Sequence, residues 1–115
     1  MPNRVLEGVR VLDLTRVVAG PFATAILADL GADIIKIERP RVGDDYRHGP
    51  SPVGETSLSF QNNNRGKRSV TLDLRMDEGR ELLLRLVEGA DALVENFRSG
   101  WMESHGLGSE VIQER

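Results

Sequence analysis

Four short apolar segments alternate with amphipathic segments along this chain, and their order predicts an α/β fold. Residues 9–14 form the first apolar segment, which reads as a buried strand. The pair Gly20-Pro21 then marks a helix entry, because the fixed φ of proline suits the first helical turn. We expect this helix over residues 21–30, with Gly31 as a left-handed stop, and a second strand over residues 34–38. A strand, a helix and a strand within about 30 residues form a βαβ unit, which predicts a parallel pair with a right-handed crossover.

The first predicted helix carries an apolar stripe with helical spacing. Phe22, Ile26 and Leu30 stand at i, i+4 and i+8. Such a stripe is typical of the core-facing side of a helix, so we expect it to pack on the sheet. The residues beside it would be Ala19, Ala23 and Leu27.

The second half of the chain repeats the pattern. A β-branched, alternating segment predicts a third strand over residues 70–74, and Asp77 or a neighbour is expected to cap the following helix. Gly89 should end that helix, and residues 91–95 read as a fourth strand that completes a second βαβ unit. The core face of the second helix is expected to consist of Leu82, Leu83, Leu86 and Val87.

Residues 40–63 interrupt this regular pattern. The segment is polar and has little periodicity, so it is predicted to be a long loop. A loop of this length inside a compact domain is usually functional, and a disordered insertion is the alternative interpretation. The glycines and prolines that break it up are Pro40, Gly43, Gly49, Pro50, Pro52 and Gly54.

The last residues predict a short helix near Trp101, a turn at residues 106–108 and a further helix capped by Ser109. That last helix would have only about six residues, and an isolated helix so short is marginal. We therefore expect residues 1–115 to be a fragment of a larger α/β domain, truncated after residue 115.

Composition narrows the class of protein. The chain has 115 residues, a formal net charge of −3 and no cysteine. The negative charge argues against a nucleic-acid partner, and the lack of cysteine excludes disulfides and thiolate metal sites. No apolar run approaches the roughly 20 residues needed to span a bilayer, so we expect a cytoplasmic protein without a membrane partner.

Two groups of cations predict a ligand that carries phosphate. Arg39 and Arg41 follow the second strand, and Arg65, Lys67 and Arg68 precede the third. In a parallel sheet both groups can lie at or near one edge, where arginine forks suit phosphate oxygens. The alternative is a solvated basic turn at residues 65–68, with no role in binding.

The sequence does not favour a conventional dinucleotide or P-loop site. Glu38 ends the second strand, where a dinucleotide fold places a ribose-binding carboxylate, but residues 17–21 lack the G-x-G-x-x-G pattern. Gly66-Lys67 has no glycine five residues earlier, and a strand follows it where a P-loop requires a helix.

Candidate acid–base residues form no convincing catalytic set. His48 lies in the long loop, and His105 is expected to be a surface or C-terminal helix residue. Two histidines without a carboxylate cluster make a poor metal site, so no metal is expected. Asp13 could be catalytic or could bind loop N–H groups, and Asp44-Asp45 are expected to be solvated or helix-capping. The residues alone give no nucleophile–base pair.

With these segments identified, the chain resembles the N-terminal segment of the class III coenzyme A-transferases. That family includes formyl-CoA transferase, carnitine CoA-transferase and α-methylacyl-CoA racemase. The resemblance covers essentially all 115 residues, and the order and spacing of its motifs are specific. The motifs are LEGVRVLDLT (residues 6–15), AGPF (19–22), LADLGAD running into IKIE (27–38), NRGKRS (64–69), LDL (72–74), VENF (94–97) and GLG (106–108).

The resemblance implies a Rossmann-like α/β domain that holds coenzyme A, with a mostly parallel sheet and flanking helices, in a longer subunit that forms an interlocked homodimer. It also implies CoA contacts near the strand ends. The family often has an arginine at the position of Ser104, so one phosphate contact is expected to be missing here. The implied CoA-binding residues are Val18, Arg39, Leu72, Asp73, Leu74, Arg75, Asn96, Phe97 and Arg98.

The implied activity is transfer of CoA from an acyl-CoA to a carboxylic acid. In the family an aspartate attacks the thioester and forms a mixed anhydride. That aspartate lies well downstream of this segment, so no catalytic residue is expected in this chain. Two alternatives stay open: an acyl-CoA racemase of the same family, and a CoA-binding or dimerisation remnant without chemistry.

Overall fold

A computed structural model describes residues 3–49, 52–53 and 56–115 of the protein. The prediction of four strands and two long helices is confirmed, with additional short elements between them. In chain order the elements are β1 (Arg10–Asp13), α1 (Ala19–Asp29), β2 (Asp33–Glu38), a 3-10 helix (Asp45–His48), β3 (Pro52–Val53), β4 (Thr56–Ser57), α2 (Leu58–Asn63), β5 (Arg68–Thr71), α3 (Asp77–Val87), β6 (Ala92–Val94), α4 (Trp101–Ser104) and α5 (Ser109–Gln113).

Four of the strands form a parallel sheet in the order β5-β2-β1-β6. Strands β1 and β2 are neighbours, as the first βαβ unit predicts. Strands β5 and β6 lie at opposite edges, so α3 joins the two edges and does not join an adjacent pair. From β1 the chain adds β2 and then β5 on one side, and it then crosses to the other side of β1, where it adds β6. This reversal between β1 and β6 makes the sheet Rossmann-like and places a crevice beyond the carboxyl ends of the strands.

Helix α1 packs on the sheet through small residues. Thr24, Ala25 and Ala28 are buried, whereas the predicted stripe of Phe22, Ile26 and Leu30 is 52%, 41% and 42% exposed. The predicted core face of this helix is therefore wrong. Small side chains allow a closer approach than the longer apolar ones: a Cβ on Gly20 would lie only 2.3 Å from the Cβ of Thr15.

The ends of the helices agree only in part with the predicted caps. Gly31 has a φ of +107° and donates to the carbonyl of Ala28, and Ala32 donates to the carbonyl of Leu27, which confirms the left-handed stop. Helix α3 begins after Met76 and α5 after Gly108, and neither has a side-chain cap. The predicted cap at Ser109 is therefore wrong, and the N-cap of α3 is Met76, the neighbour of Asp77, without a side-chain hydrogen bond.

Two apolar layers cover the sheet. The layer beneath α1 contains Val11, Ala28 and Ile34, and the layer beneath α3 is larger. On α3 itself Leu83 and Leu84 are buried and Leu82 is 46% exposed, so the predicted inclusion of Leu82 in the core is wrong. The buried members of the larger layer are Leu12, Leu14, Ile35, Ile37, Leu74, Leu83, Leu84, Met102 and Leu107.

The segment predicted as a loop over residues 40–63 contains secondary structure. It includes the 3-10 helix, the antiparallel pair β3–β4 and helix α2. Ser57 caps α2 by accepting from the N–H of Phe60, whose side chain is buried. Pro50 and Gly54, which helped to predict the loop, lie outside the described residues. Among the helices that the structure describes, none is long and apolar enough to cross a membrane.

Candidate functional site

A cleft of about 350 Å³ lies beyond the carboxyl ends of the strands. Its floor includes Leu14, Thr15 and Lys36, and its walls come from residues 39–44, residues 72–75 and the segment that starts at Phe97. A second, more open cleft of about 670 Å³ adjoins it and shares Arg16 and Phe97 with it. The two clefts thus lie where the strand order reverses, the position at which α/β sheets bind ligands.

The structure brings all nine predicted CoA-binding residues to these two clefts. Strand β5 ends at Thr71, before the predicted end, so residues 72–75 form a turn beside the first cleft. The first cleft is lined by Arg39, Leu72, Asp73, Leu74, Arg75 and Phe97, and the second by Val18, Asn96, Phe97 and Arg98.

Two arginines at the first cleft have carboxylate partners. Arg39 donates to the carbonyl of Gly43 at 3.0 Å and forms an ion pair with Asp45. Arg75 donates to both carboxylate oxygens of Asp73 at 3.0 and 3.1 Å, and this contact lowers the pKa of Asp73. All four side chains are at least partly exposed, so the pairs can exchange for contacts with an anionic ligand.

The prediction that residues 65–68 join Arg39 and Arg41 at one edge is wrong. Arg65 lies before β5 and Arg68 is its first residue, so both lie towards the amino edge of the parallel sheet, whereas Arg39 and Arg41 follow β2 at the carboxyl edge. Arg65 pairs with Asp29 at 2.6 Å, and Arg68 pairs with Asp33 at 2.7 Å. Neither arginine lines the candidate clefts.

Lys67 is buried and forms an ion pair with Asp13. Its Nζ lies 2.9 Å from Asp13 Oδ2 and also donates to the carbonyl of Pro21 and to Asn64 Oδ1. Burial opposes ionisation of Asp13, but hydrogen bonds from Lys67, Thr15 and Thr24 outweigh it and lower the pKa of Asp13. Asp13 also accepts from the N–H of Thr15 at 2.8 Å, so its carboxylate is fully used within the fold.

A second buried ion pair joins Lys36 to Asp44 at the floor of the first cleft. Lys36 Nζ lies 2.9 Å from Asp44 Oδ2 and 2.9 Å from the carbonyl of Thr15. Asp44 Oδ1 accepts from the N–H groups of Tyr46 and Val17. Val17 has a φ of +73°, a strained conformation for a β-branched residue, so Asp44 stabilises strained backbone beside the site.

Sequence reasoning recognised Asp44 only as a solvated or capping residue. It does cap the 3-10 helix, but the structure also buries it against Lys36. A lysine in the middle of an apolar strand was the available signal, because a buried ammonium requires a counter-ion.

Glu38 anchors the segment that follows β2. Both of its carboxylate oxygens accept from Arg47 at 2.7 Å, and they also accept from Ser69 Oγ and from the N–H of Asp44. Burial raises the pKa of Glu38, but the hydrogen bonds from Arg47, Ser69 and the Asp44 backbone overcome this and lower it to about 2. Glu38 is therefore a structural anion, and a ribose-binding role is not supported.

Asn96 ties together the loops on either side of the reversal point. Its Oδ1 accepts from the N–H of Arg16 at 3.0 Å, and its Nδ2 donates to the carbonyl of Arg16 at 2.9 Å. The segment after β1 and the segment after β6 are thus held in register, and the wall shared by the two clefts is fixed.

Aromatic rings form one wall of the first cleft. Phe97 and Trp101 have ring centroids 4.5 Å apart, and His105 stacks on Trp101 at 3.9 Å with an interplanar angle of 16°. The Arg16 guanidinium lies 4.8 Å from the centroid of Phe97. His105, which was expected to be a surface or C-terminal helix residue, ends α4 and also lines the cleft. The i, i+4, i+8 spacing of the three rings was the missed signal. Ser104, which stands where the family often has an arginine, forms an internal bond, since its Oγ donates to the carbonyl of Trp101.

Gly79 supports the turn at residues 72–75. A Cβ at Gly79 would lie 2.0 Å from the backbone carbonyl oxygen of Asp73, so Gly79→Ala must displace that turn. We expect a loss of about 1–3 kcal/mol in the free energy of unfolding, as for other overpacked sites, measured by urea denaturation. Gly89→Ala is the matched control, because its Cβ would meet nothing closer than 3.7 Å. Equal stabilities of the two variants would contradict the predicted overlap.

Metal ligands do not cluster in this site. Over residues 3–49, 52–53 and 56–115, no group of three or more histidine or carboxylate side chains could hold a metal ion.

Comparison with known proteins assigns the chain to a family. Residues 6–115 match the model of CoA-transferase family III. The chain is 51% identical over 114 residues to succinyl-CoA:mesaconate CoA-transferase of Haloarcula hispanica, covering 95% of this chain and 28% of that protein. It is 47% identical over 110 residues to human succinyl-CoA:glutarate CoA-transferase, covering 95% of this chain and 25% of that protein.

Solved structures agree with this assignment. A CaiB/BaiF family protein from Brucella suis has a TM-score of 0.89 and 45% identity, over 97% of this chain and 31% of that one. A hypothetical protein from Mycobacterium tuberculosis has a TM-score of 0.92 and 44% identity, over 100% of this chain and 32% of that one. The chain thus spans about a quarter to a third of the length of these relatives. Its sequence and its fold agree on one family, and the chain belongs to CoA-transferase family III, corresponding to the N-terminal part of its relatives.

Proposed function

We propose that this chain forms the CoA-binding portion of an acyl-CoA:carboxylate CoA-transferase. The observation that carries the proposal is the pair of adjoining clefts at the carboxyl edge of the sheet, which all nine predicted residues line. Arg16, Arg39, Arg75 and Arg98 supply positive charge for the phosphates of CoA. Leu72, Leu74 and the aromatic wall supply apolar surface for the rest of the ligand.

The proposed reaction passes through an aspartyl mixed anhydride. A carboxylate attacks the thioester carbonyl, the carbon–sulfur bond breaks, and CoA leaves as a thiolate while the donor acyl group stays in the anhydride. The thiolate then attacks the aspartyl carbonyl, which releases the donor acid and leaves an aspartyl-CoA thioester. The acceptor carboxylate attacks that thioester and forms a second anhydride, and the thiolate attacks its acceptor carbonyl, which gives the new acyl-CoA and regenerates the aspartate. The carboxylates that line the first cleft are Glu38, Asp44 and Asp73, and each is paired with a cation. This pairing supports a catalytic aspartate outside these 115 residues.

The names of the relatives suggest which substrates to test first. Two relatives are named for transfer from succinyl-CoA to mesaconate or glutarate. We propose succinyl-CoA as donor and a dicarboxylic acid as acceptor, in a homodimeric cytoplasmic enzyme. The family resemblance and the relatives' names support this choice.

The test is an assay of the full-length gene product with succinyl-CoA and a panel of dicarboxylic acids, with CoA esters separated by chromatography. Transfer of CoA to an acceptor is the expected result. Epimerisation of a 2-methylacyl-CoA without transfer would favour the racemase alternative. Calorimetric titration with CoA tests binding separately, and the absence of binding would refute the proposal.

Arg39 provides a sharper test of the binding site. If Arg39 contacts a CoA phosphate, Arg39→Ala in the full-length protein should weaken CoA binding by about 1.5–3 kcal/mol, the range for hydrogen bonds to charged groups. Arg65→Ala is the matched control, because it removes an exposed arginine paired with Asp29 at the opposite edge of the sheet. The control should bind CoA within about twofold of wild type, since exposed ion pairs contribute little. Equal losses in both variants would place the ligand elsewhere.

A further inference from the structure

One histidine on the aromatic wall has a ring nitrogen without a hydrogen-bond partner among the described residues. His105 lines the first cleft and stacks on Trp101. Its Nδ1 lies 2.8 Å from the carbonyl oxygen of Trp101 and 3.0 Å from Ser104 Oγ. Within the described part of the chain, its Nε2 has no hydrogen-bond partner.

The surroundings of Nδ1 determine which nitrogen of the neutral ring carries the proton. A carbonyl oxygen can only accept a hydrogen bond, so Nδ1 must donate to Trp101. The hydroxyl of Ser104 donates to the same carbonyl, which leaves its oxygen free to accept. In the neutral ring Nε2 is therefore an acceptor.

The unpartnered nitrogen is also accessible to solvent. Every buried side-chain nitrogen or oxygen in the described residues has a hydrogen-bond partner. Because Nε2 has none, it is not buried. His105, which lines the first cleft, thus carries one exposed acceptor atom, and the stack on Trp101 and the bond from Nδ1 fix the orientation of its ring.

We propose that His105 is a specificity-determining residue that accepts a hydrogen bond from the exocyclic amino group of the adenine of CoA. The inference rests on the proposed CoA-binding function. Adenine fits the chemistry of this wall because it is a planar ring with a donor at its edge, and such rings stack on aromatic side chains. A phosphate is a poorer match, since its oxygens need donors and Nε2 of the neutral ring accepts.

The experiment compares two ligands on the full-length gene product. Isothermal calorimetry measures binding of CoA and of the analogue in which hypoxanthine replaces adenine, so that a carbonyl oxygen stands in place of the amino group. Wild type should bind CoA about tenfold or more tightly than the analogue, because the carbonyl oxygen of hypoxanthine and Nε2 of His105 are both acceptors and cannot form a hydrogen bond with each other. His105→Phe retains a stacking ring without Nε2, and its preference should fall to about twofold or less. His105→Gln, which keeps an acceptor oxygen, should retain part of the preference.

His48→Phe is the matched control. His48 is the other histidine of the chain. It is exposed on the 3-10 helix and does not line the first cleft. This variant should discriminate between the ligands as wild type does. Equal binding of both ligands by wild type, or an unchanged preference in His105→Phe, would overturn the assignment of His105 while leaving the CoA-binding function intact. If no protein binds CoA, the proposed function fails and the inference fails with it.

Discussion

Replacing Asp44 with alanine is expected to lower the free energy of unfolding by about 3–5 kcal/mol, the usual loss when one partner of a buried ion pair is removed. The side chains of Lys36 and Asp44 are 2% and 0% exposed, so the variant would leave a buried ammonium without its counter-ion. It would also remove the acceptor that holds the strained backbone at Val17. Urea denaturation at pH 7 measures the loss.

Two comparisons separate this effect from a general loss of packing. Asp45→Ala removes the neighbouring acid, whose side chain is 59% exposed, and should cost no more than about 1 kcal/mol. The double variant Lys36→Met with Asp44→Ala removes both charges and should be more stable than Asp44→Ala alone. Equal stabilities of the Asp44 and Asp45 variants would show that the buried pair is not required.

Acidification is expected to destabilise the protein through Glu38. The pKa of Glu38 is lowered from 4.5 to about 2, so its carboxylate stabilises the fold fully above about pH 4.5. That stabilisation is lost as the pH falls towards 2, because the unfolded chain takes up the proton first. A shift of this size corresponds to about 3 kcal/mol, which is an upper estimate for one partly solvated network.

The contribution of Glu38 is obtained by difference. Wild type and Glu38→Gln are unfolded with urea at a series of pH values between 2 and 7. The gap between their unfolding free energies should be largest near neutral pH and should close towards pH 2. Glu7→Gln, at an exposed position outside this network, should stay within about 0.5 kcal/mol of wild type at pH 7. A gap that stays constant with pH would refute the role of the Glu38 carboxylate.

Local patterns were sufficient to predict the frame of the fold. Alternating apolar residues predicted the parallel strands, and Gly31 predicted the end of α1, because both depend on neighbours in sequence. The buried face of α1 could not be predicted in this way. Its larger apolar residues suggested one face, but the structure buries the face that carries Thr24, Ala25 and Ala28.

The site was predicted less completely for a similar reason. Residues at the ends of strands were found because parallel strands end at one edge. The cations at residues 65–68 were misplaced because they precede a strand, and the amino and carboxyl edges were not distinguished. The partner of Lys67 could not be read from the sequence, since Asp13 lies 54 residues from Lys67. Such pairs become visible only when the sheet order is known.

The position of Trp101 provides an optical probe of the site. It is the only tryptophan in the chain, and it lies in the cleft wall with its ring against Phe97 and His105. Within these 115 residues the indole emission therefore reports on one place. A ligand that displaces water from the aromatic wall alters the environment of that single fluorophore. The same ring that shapes the cleft makes its occupancy measurable without any label.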